Sequence, residues 1–338
     1  MMKKMIVHIL YFYIGLTSVV FAQVESRSEP ILSKIQQEAF TINVLVQSGL
    51  RYSLANDEFQ GGRTFEATNA RLSVRGLIDD KFYYRMFFNL VSEPNLLDAF
   101  LGYRHSNALR ITAGAMKPRQ TLDYIPDPGS KDFIDRTKIT GLLVQSREIG
   151  VSAEGDVNGL YYFSGIFNGN KLSSNNNNKF YSIGRLQYTF ETIFPGTMQL
   201  AVQGSYGESP NVRSGSSGPI LRGERMIYGG DMRLETDRFL LACEYLTGQL
   251  DLMDITDKKE KIYGYYVTAG YKMFKETMFL GRCQSWGRRE MNFQDYQFTL
   301  GINHKFTGFT RFQINFDSYL PEKRDEQYGL SLLLQVQF

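Results

Sequence analysis

The chain has 338 residues, with 38 lysines and arginines against 35 aspartates and glutamates and a formal charge of +3. That balance excludes the broad basic surface of a nucleic-acid partner. Two cysteines and three histidines lack metal-ligand spacing, while 25 Phe, 21 Tyr and 31 Gly with few helical patterns favour an all-β chain.

Residues 1–22 read as an export signal. Lys3 and Lys4 form the positive start, Ile6 to Phe21 the apolar centre, and Val20-Phe21-Ala22 the small-residue cleavage site. Gln23 rather than Cys follows, so a lipid anchor at a new N-terminal cysteine is not expected. Removing Lys3 and Lys4 takes the formal +3 to +1, since no acid lies within 1–22. The apolar run is too short for a membrane anchor, and no later run exceeds about five residues against the ~18 required for a helix. Residues 23–39 form a short polar periplasmic lead.

From residue 40 the pattern changes to a period of two. Phe40, Ile42, Val44, Val46, Leu50 and Tyr52 alternate with Thr41, Asn43, Gln47, Gly49 and Arg51. Ala70, Leu72, Val74 and Ile78 then oppose Asn69, Arg71, Ser73 and Arg75; Phe82 to Leu90 oppose Arg85 and Asn89. One apolar and one polar face suit a barrel strand between lipid and water. Further strands are expected at 96–104, 108–116, 147–155, 159–168, 179–190, 197–206, 225–236, 239–248, 261–273, 276–286, 294–306, 308–318 and 327–338.

This predicts a transmembrane antiparallel β-barrel over 40–338 with about 16 strands, short periplasmic turns and long extracellular loops. The short set is 79–81, 105–107, 156–158, 191–196, 237–238, 274–275 and 307. The other set is 55–64, 117–146, 169–178, 207–224, 249–260, 287–293 and 319–326, with 93–95 as its one short member. Tyr328, Leu330, Leu332, Leu334, Val336 and Phe338 alternate to the last residue, as in the sorting signal of outer-membrane barrels. Cys243 and Cys283 fall two strands apart, beyond disulfide reach at ~4.8 Å per strand.

The longest interruption, KPRQTLDYIPDPGSKDFIDRTKITGLLVQSR over Lys117–Arg147, is the third outer loop. Long loops in compact folds are usually functional. Pro118, Pro126 and Pro128 stiffen it. Lys117, Arg119, Lys131, Arg136 and Lys138 nearly balance Asp123, Asp127, Asp132 and Asp135, and Leu142, Leu143 and Val144 offer an anchor for its far end. An inward-folded collar is the expectation; a rigid surface lid fits the same residues.

By strand parity the lumen displays Arg51, Arg71, Arg75, Arg85, Arg104, Arg110, Arg185, Arg233, Arg282 and Arg311. Fewer acids face them: Asp98, Glu148, Glu154, Asp231, Glu235, Glu244 and Asp317. Arginine stays charged and presents a planar fork to oxyanions, so the excess biases the lumen toward anions. Pairing with the acids, which would only stiffen the wall, is the alternative for each arginine singly. No catalytic residues are assigned: His105 falls in a turn and His304 on the lipid-facing parity, neither within the ~3 Å of a nucleophile that a base needs.

ARLSVRG (70–76), DAF (98–100), GAMKP (114–118), FIDRT (133–137), SREIGV (146–151) and GIFNG (165–169) together resemble the phosphate-selective porin O and P family. The resemblance implies a sixteen-stranded, homotrimeric channel in the outer-membrane lipid of a Gram-negative bacterium, without cofactor. It would pass small hydrophilic solutes, with small anions such as phosphate preferred. Lys117 then matches the constriction lysine, Arg71 and Arg75 the lumenal arginines, and Asp98 the acid of the DA element. Arg119, Arg85, Arg110 and Arg136 complete the candidate pore set, with Thr121 the one hydroxyl available after the loop lysine. A non-selective porin, or a barrel closed by Phe87, Phe100 and Phe167, are the rival expectations.

Overall fold

A computed structural model describes residues 40–338 except 55–58, 79, 175–176 and 192–195; the expected export signal and polar lead lie outside them. The described residues form sixteen antiparallel strands closed into one barrel, each paired with its neighbours in sequence. They are β1 (Phe40–Ser53), β2 (Arg63–Ile78), β3 (Phe82–Asn89), β4 (Leu96–Ser106), β5 (Leu109–Met116), β6 (Glu148–Val157), β7 (Leu160–Phe167) and β8 (Tyr181–Glu191). The second half is β9 (Gly196–Glu208), β10 (Leu221–Thr236), β11 (Phe239–Leu252), β12 (Ile255–Phe274), β13 (Thr277–Arg288), β14 (Phe293–Lys305), β15 (Thr310–Leu320) and β16 (Gln327–Gln337).

β1 closes on β16 from Leu45 opposite Gln337 to Ser53 opposite Gly329. Phe338 extends this ladder, exchanging backbone hydrogen bonds of 2.8 and 3.1 Å with Val44. Closure leaves no edge strand, the condition for irregular-free backbone in lipid. Outward positions carry the apolar half of each alternation: Leu101, Val202, Leu300, Leu334 and Phe338 are exposed on the outer face. The inward half is polar, with Gln47, Asn69, Gln297, Gln313 and Gln335 buried.

Two expected loops shrink. The 249–260 loop is mostly strand, since β11 runs to Leu252 and β12 starts at Ile255. The 207–224 loop also shortens, since β9 runs to Glu208 and β10 starts at Leu221. A transmembrane strand needs only ~9–11 residues, whereas β12 has 20. Beyond that length backbone pairing continues in the β11–β12 hairpin with one face still buried, Leu250, Leu252 and Ile262 being packed inward, while the exposed face becomes charged, so the apolar-outside alternation is lost. Cross-strand pairs such as Lys259–Glu224 and Arg288–Glu260 replace it. Cys243 and Cys283 sit either side of Val267, and both are free thiols.

Candidate functional site

Segment 117–147 leaves the barrel wall at Met116, crosses the lumen to the opposite wall and returns to Glu148. Its first arc turns at Thr121–Ile125, where the Ile125 amide donates to the Thr121 carbonyl at 3.0 Å. At the tip, the Leu122 and Asp123 amides donate to the Glu244 carboxylate at 3.2 and 3.3 Å. Pro128 opens a short 3-10 turn, and proline's fixed φ suits that first position. The chain then runs extended past β13–β16 and β1, and wall side chains grip its carbonyls. Gln47 donates to Pro128 O, Gln335 to Gly129 O, Arg311 to Lys131 O, Asn303 to Asp132 O and Arg282 to Asp135 O, at 2.8 to 3.3 Å. Buried backbone acceptors need such partners. Arg233 and Arg51 add salt bridges to Asp132 and Asp135 at 2.8 and 2.6 Å.

The far end forms α1 (Lys138–Leu143). Ile139, Leu143 and Val144 are buried against Leu221, Ile227, Leu246, Leu250, Leu252, Ile262 and Trp286. Gly248 and Gly264 make room: a Cβ there would stand 2.9 Å from the Leu143 side chain and 3.1 Å from Ile139. Leu143→Ala should therefore cost about 2–5 kcal/mol as a buried truncation. The expected readouts are a lower thermal midpoint and noisier open-channel current; a variant with both unchanged would remove α1 as the anchor.

The loop leaves cavities on both sides. The outer one, about 750 Å³, is bounded by Glu93 and Pro94, by Lys171–Ser173 and Ser216–Ser217, by Arg71 on the wall, and by Lys117, Tyr124, Lys131, Asp135 and Arg136 of the loop. A smaller cavity beneath the loop base, about 200 Å³, is lined by Arg85, Asp98, Lys117, Arg119, Asp127 and Glu154. A third, about 640 Å³, opens at the periplasmic turns and Phe338. Lys117 alone lines both of the first two. The β5–β8 sector is filled by Met116, Phe163, Phe167, Tyr181 and Ile183, with Phe100 against them. Bulky rings thus fill one sector, and two of them, Phe100 and Phe163, also border the small cavity with Met116.

Phe87 serves differently. Three guanidinium groups surround its ring, those of Arg85, Arg71 and Arg147 at 4.3, 5.6 and 5.6 Å from the centroid. An aromatic face attracts each cation and helps hold like charges together. Arg147 is fixed by Asp98 at 2.7 Å, and Arg85 reaches Asp98 and Asp127 at 3.4 Å each. Asp98, 1% exposed, is a buried counter-ion at the edge of the small cavity. Arg71 has no carboxylate partner among the described residues.

The other expected site residues divide. Lys117 Nζ donates to Ile125 O and Pro126 O at 2.9 Å and to Asp127 at 3.3 Å. An ammonium has three donors, so all three are spent inside the loop. Arg136 donates to Asp123 O and Pro126 O and lies over Tyr124, bracing the arc while lining the outer cavity. Arg119 and Arg110 share Glu154 at 3.1 and 3.2 Å, below the constriction. Thr121 faces no cavity: it is fully buried, and its hydroxyl accepts from the Tyr124 amide, because the turn uses it as a cap. Arg75 is exposed toward the periplasmic end of β2, opposite Arg85 in register, and lines none of these cavities. Arg147, Lys131, Asp135 and Phe87 were not in the expected pore set. Asp135 and Arg147 fall in the FIDRT and SREIGV pieces, whereas Lys131 stands in the sequence only as one of the loop's balanced charges, and Phe87 only as a ring that would pack the lumen shut.

Burial depresses Lys117 to about 7; Asp127 opposes this, and Arg136 and Arg147 add to it. Lys131 falls to about 8, again mainly through burial, against the pull of Asp135. Burial raises the Asp127 carboxyl, but Lys117 and Arg85 more than offset this and hold it below the usual range.

No curated protein sequence matches the chain. Among solved structures, the barrel is similar to a loop-L8 deletion mutant of Vibrio cholerae OmpT, at 13% identity and a TM-score of 0.69 over 89% of this chain and 100% of that one. An anion-selective porin from Comamonas acidovorans gives 13% and 0.67 over 89% and 99%. The outer membrane channel DcaP of Acinetobacter baumannii gives 11% and 0.62 over 88% and 97%. These likenesses concern the fold. Residues 40–286 match the profile of the phosphate-selective porin O and P family, and with the closed barrel and charged lumen they identify the chain as a member of that family, an outer-membrane porin.

Proposed function

We propose that solutes diffuse through this porin with a preference for anions, and that segment 117–147 is its constriction. One observation carries the reading. Arg71, Lys117, Lys131, Arg136, Lys138, Arg147 and Lys171 line the outer cavity against only Glu93 and Asp135. The small cavity beneath is balanced, with Arg85, Lys117 and Arg119 facing Asp98, Asp127 and Glu154. An anion therefore meets its attractive field before the narrowest point, and focused fields of this kind raise local counter-ion concentration.

The residues favour a general anion filter over a phosphate trap. Tight phosphate binding needs several free donors converging on one oxyanion, and Lys117 and Arg136 have committed theirs to loop carbonyls. Arg71 is left as the free fork. Weak contact suits conduction, which requires release as well as entry. Assembly as a homotrimer in outer-membrane lipid is part of the proposal, supported by the trimer form reported for Vibrio cholerae OmpT. So is removal of residues 1–22, leaving 23–39 as a periplasmic lead; N-terminal sequencing of the mature protein would give Gln23 first.

Reversal potentials in a KCl gradient test the selectivity directly. The expected sign is that of chloride permeating faster than potassium; the opposite sign would end the anion reading while leaving the barrel untouched. Lys117→Glu removes one positive charge and adds a negative one beside Asp127, so anion preference should fall or reverse. Unchanged selectivity would take Lys117 out of the constriction.

A further inference from the structure

The four carboxylates of segment 117–147 are not held alike. Asp135 takes both guanidinium nitrogens of Arg51 at 2.6 and 2.9 Å. Asp132 takes Arg233 at 2.8 Å. Asp123 accepts from the amide and hydroxyl of Thr137 at 2.9 and 3.1 Å. Asp127 has only long contacts among the described residues: Lys117 at 3.3 Å and Arg85 at 3.4 Å, with its side chain 44% exposed. Good charge-assisted bonds lie near 2.7–2.9 Å.

Position adds to the contrast. Asp127 spans from the loop base at Lys117 to the wall at Arg85, in the small cavity whose lining includes the lysine shared with the outer one. Its two partners differ in what else holds them. Arg85 is otherwise tied to Ser73 at 3.2 Å and Asp98 at 3.4 Å and rests on Phe87. Lys117 keeps its two carbonyl acceptors. Both would therefore stay in place if Asp127 let go.

Resting on the reading of the site as an anion constriction, we propose that Asp127 is a displaceable internal counter-ion: a passing oxyanion exchanges with its carboxylate for Arg85 and Lys117, and the carboxylate reclaims them when the anion leaves. One anionic group replaces another on the same two cations, while the released side chain turns to water. This tethered competitor shortens the stay of every anion and so keeps the constriction from becoming a trap. It also sets a selectivity rule. Multiply charged oxyanions compete better with a single carboxylate than chloride does, so they dwell longer.

The test is planar-bilayer recording of the purified full-length porin, with sulfate as the probe blocking chloride current. Asp127→Asn should raise the chloride-to-potassium permeability ratio several-fold and tighten sulfate block by roughly tenfold, the scale of one lost like-charge interaction. Asp127→Glu, which keeps the charge, should stay near the parent in both. A neutral variant with parent-like block and selectivity overturns the proposal. So does a neutral variant that loses selectivity with larger, noisier conductance, since the bridge would then be a strut. A glutamate variant behaving like the asparagine one overturns it as well. If the parent channel itself prefers potassium, it is the underlying anion reading that fails.

Discussion

Asp231→Ala is expected to destabilise the barrel by about 3–5 kcal/mol, because it strands a buried guanidinium. Arg185 and Asp231 are both 0% exposed, joined at 2.6 Å, with a second bond of 2.9 Å. Arg185 already carries an Nε without a partner among the described residues, so the wall has no spare acceptor to offer. The damage should reach the constriction too. Arg185 Nη1 also donates to the Gln120 carbonyl and to Gln203 at 3.3 Å, and Gln203 donates to Glu244 at 3.0 Å. Glu244 in turn holds the loop tip through the Leu122 and Asp123 amides. Urea unfolding of the refolded porin in lipid vesicles should show the loss as a shifted midpoint, and recordings should show a less steady current. Replacing both partners with leucine should recover much of the midpoint, since an apolar pair removes the stranded charge. A single mutant unfolding with the parent would show that water reaches Arg185 despite its burial.

The barrel was legible because lipid imposes one rule on every strand that crosses it. Tyr328 to Phe338 alternates because each second residue must be apolar outside, and closure with β1 follows from the same need to leave no edge. Where lipid ends, the rule ends. Residues 249–260 look like a polar loop because the exposed face of that hairpin is charged while Leu250 and Leu252 pack inward, yet the ladder continues to Leu252 and from Ile255. The docking of segment 117–147 was not readable for a related reason. Gln47, Asn303, Gln313 and Gln335 look like ordinary lumenal amides, and only the fold shows their donors meeting the carbonyls of residues 128–132. Gly248 and Gly264 read as strand glycines until α1 is laid across them. Lys117 could be located by its place after GxM, but not the use of all its donors within its own loop.

That burial of Lys117 has a consequence in the pH range where porins work. A free lysine keeps its proton to about 10.5, whereas the folded channel brings Lys117 down to about 7. The ammonium is therefore present at pH 6 and largely gone at pH 8.5, so anion preference should decline as pH rises across that window. The direction follows from charge alone: deprotonation removes a cation from the point where the two cavities meet. Lys131, lowered to about 8 and lining the outer cavity, contributes a second step in the same direction. Tyr124, pushed by burial up to about 12, adds nothing there, and Asp127 stays ionised throughout. Reversal potentials recorded at pH 6, 7 and 8.5 separate the contributions. Lys117→Arg, charged at every pH, should keep only the shallower Lys131 step; Lys117→Met should show low anion preference already at pH 6. Selectivity flat from pH 6 to 8.5 in the parent channel would mean that the carbonyls of Ile125 and Pro126 hold the ammonium more firmly than burial opposes it. In that case Lys117 is a permanent charge, and the filter does not respond to pH.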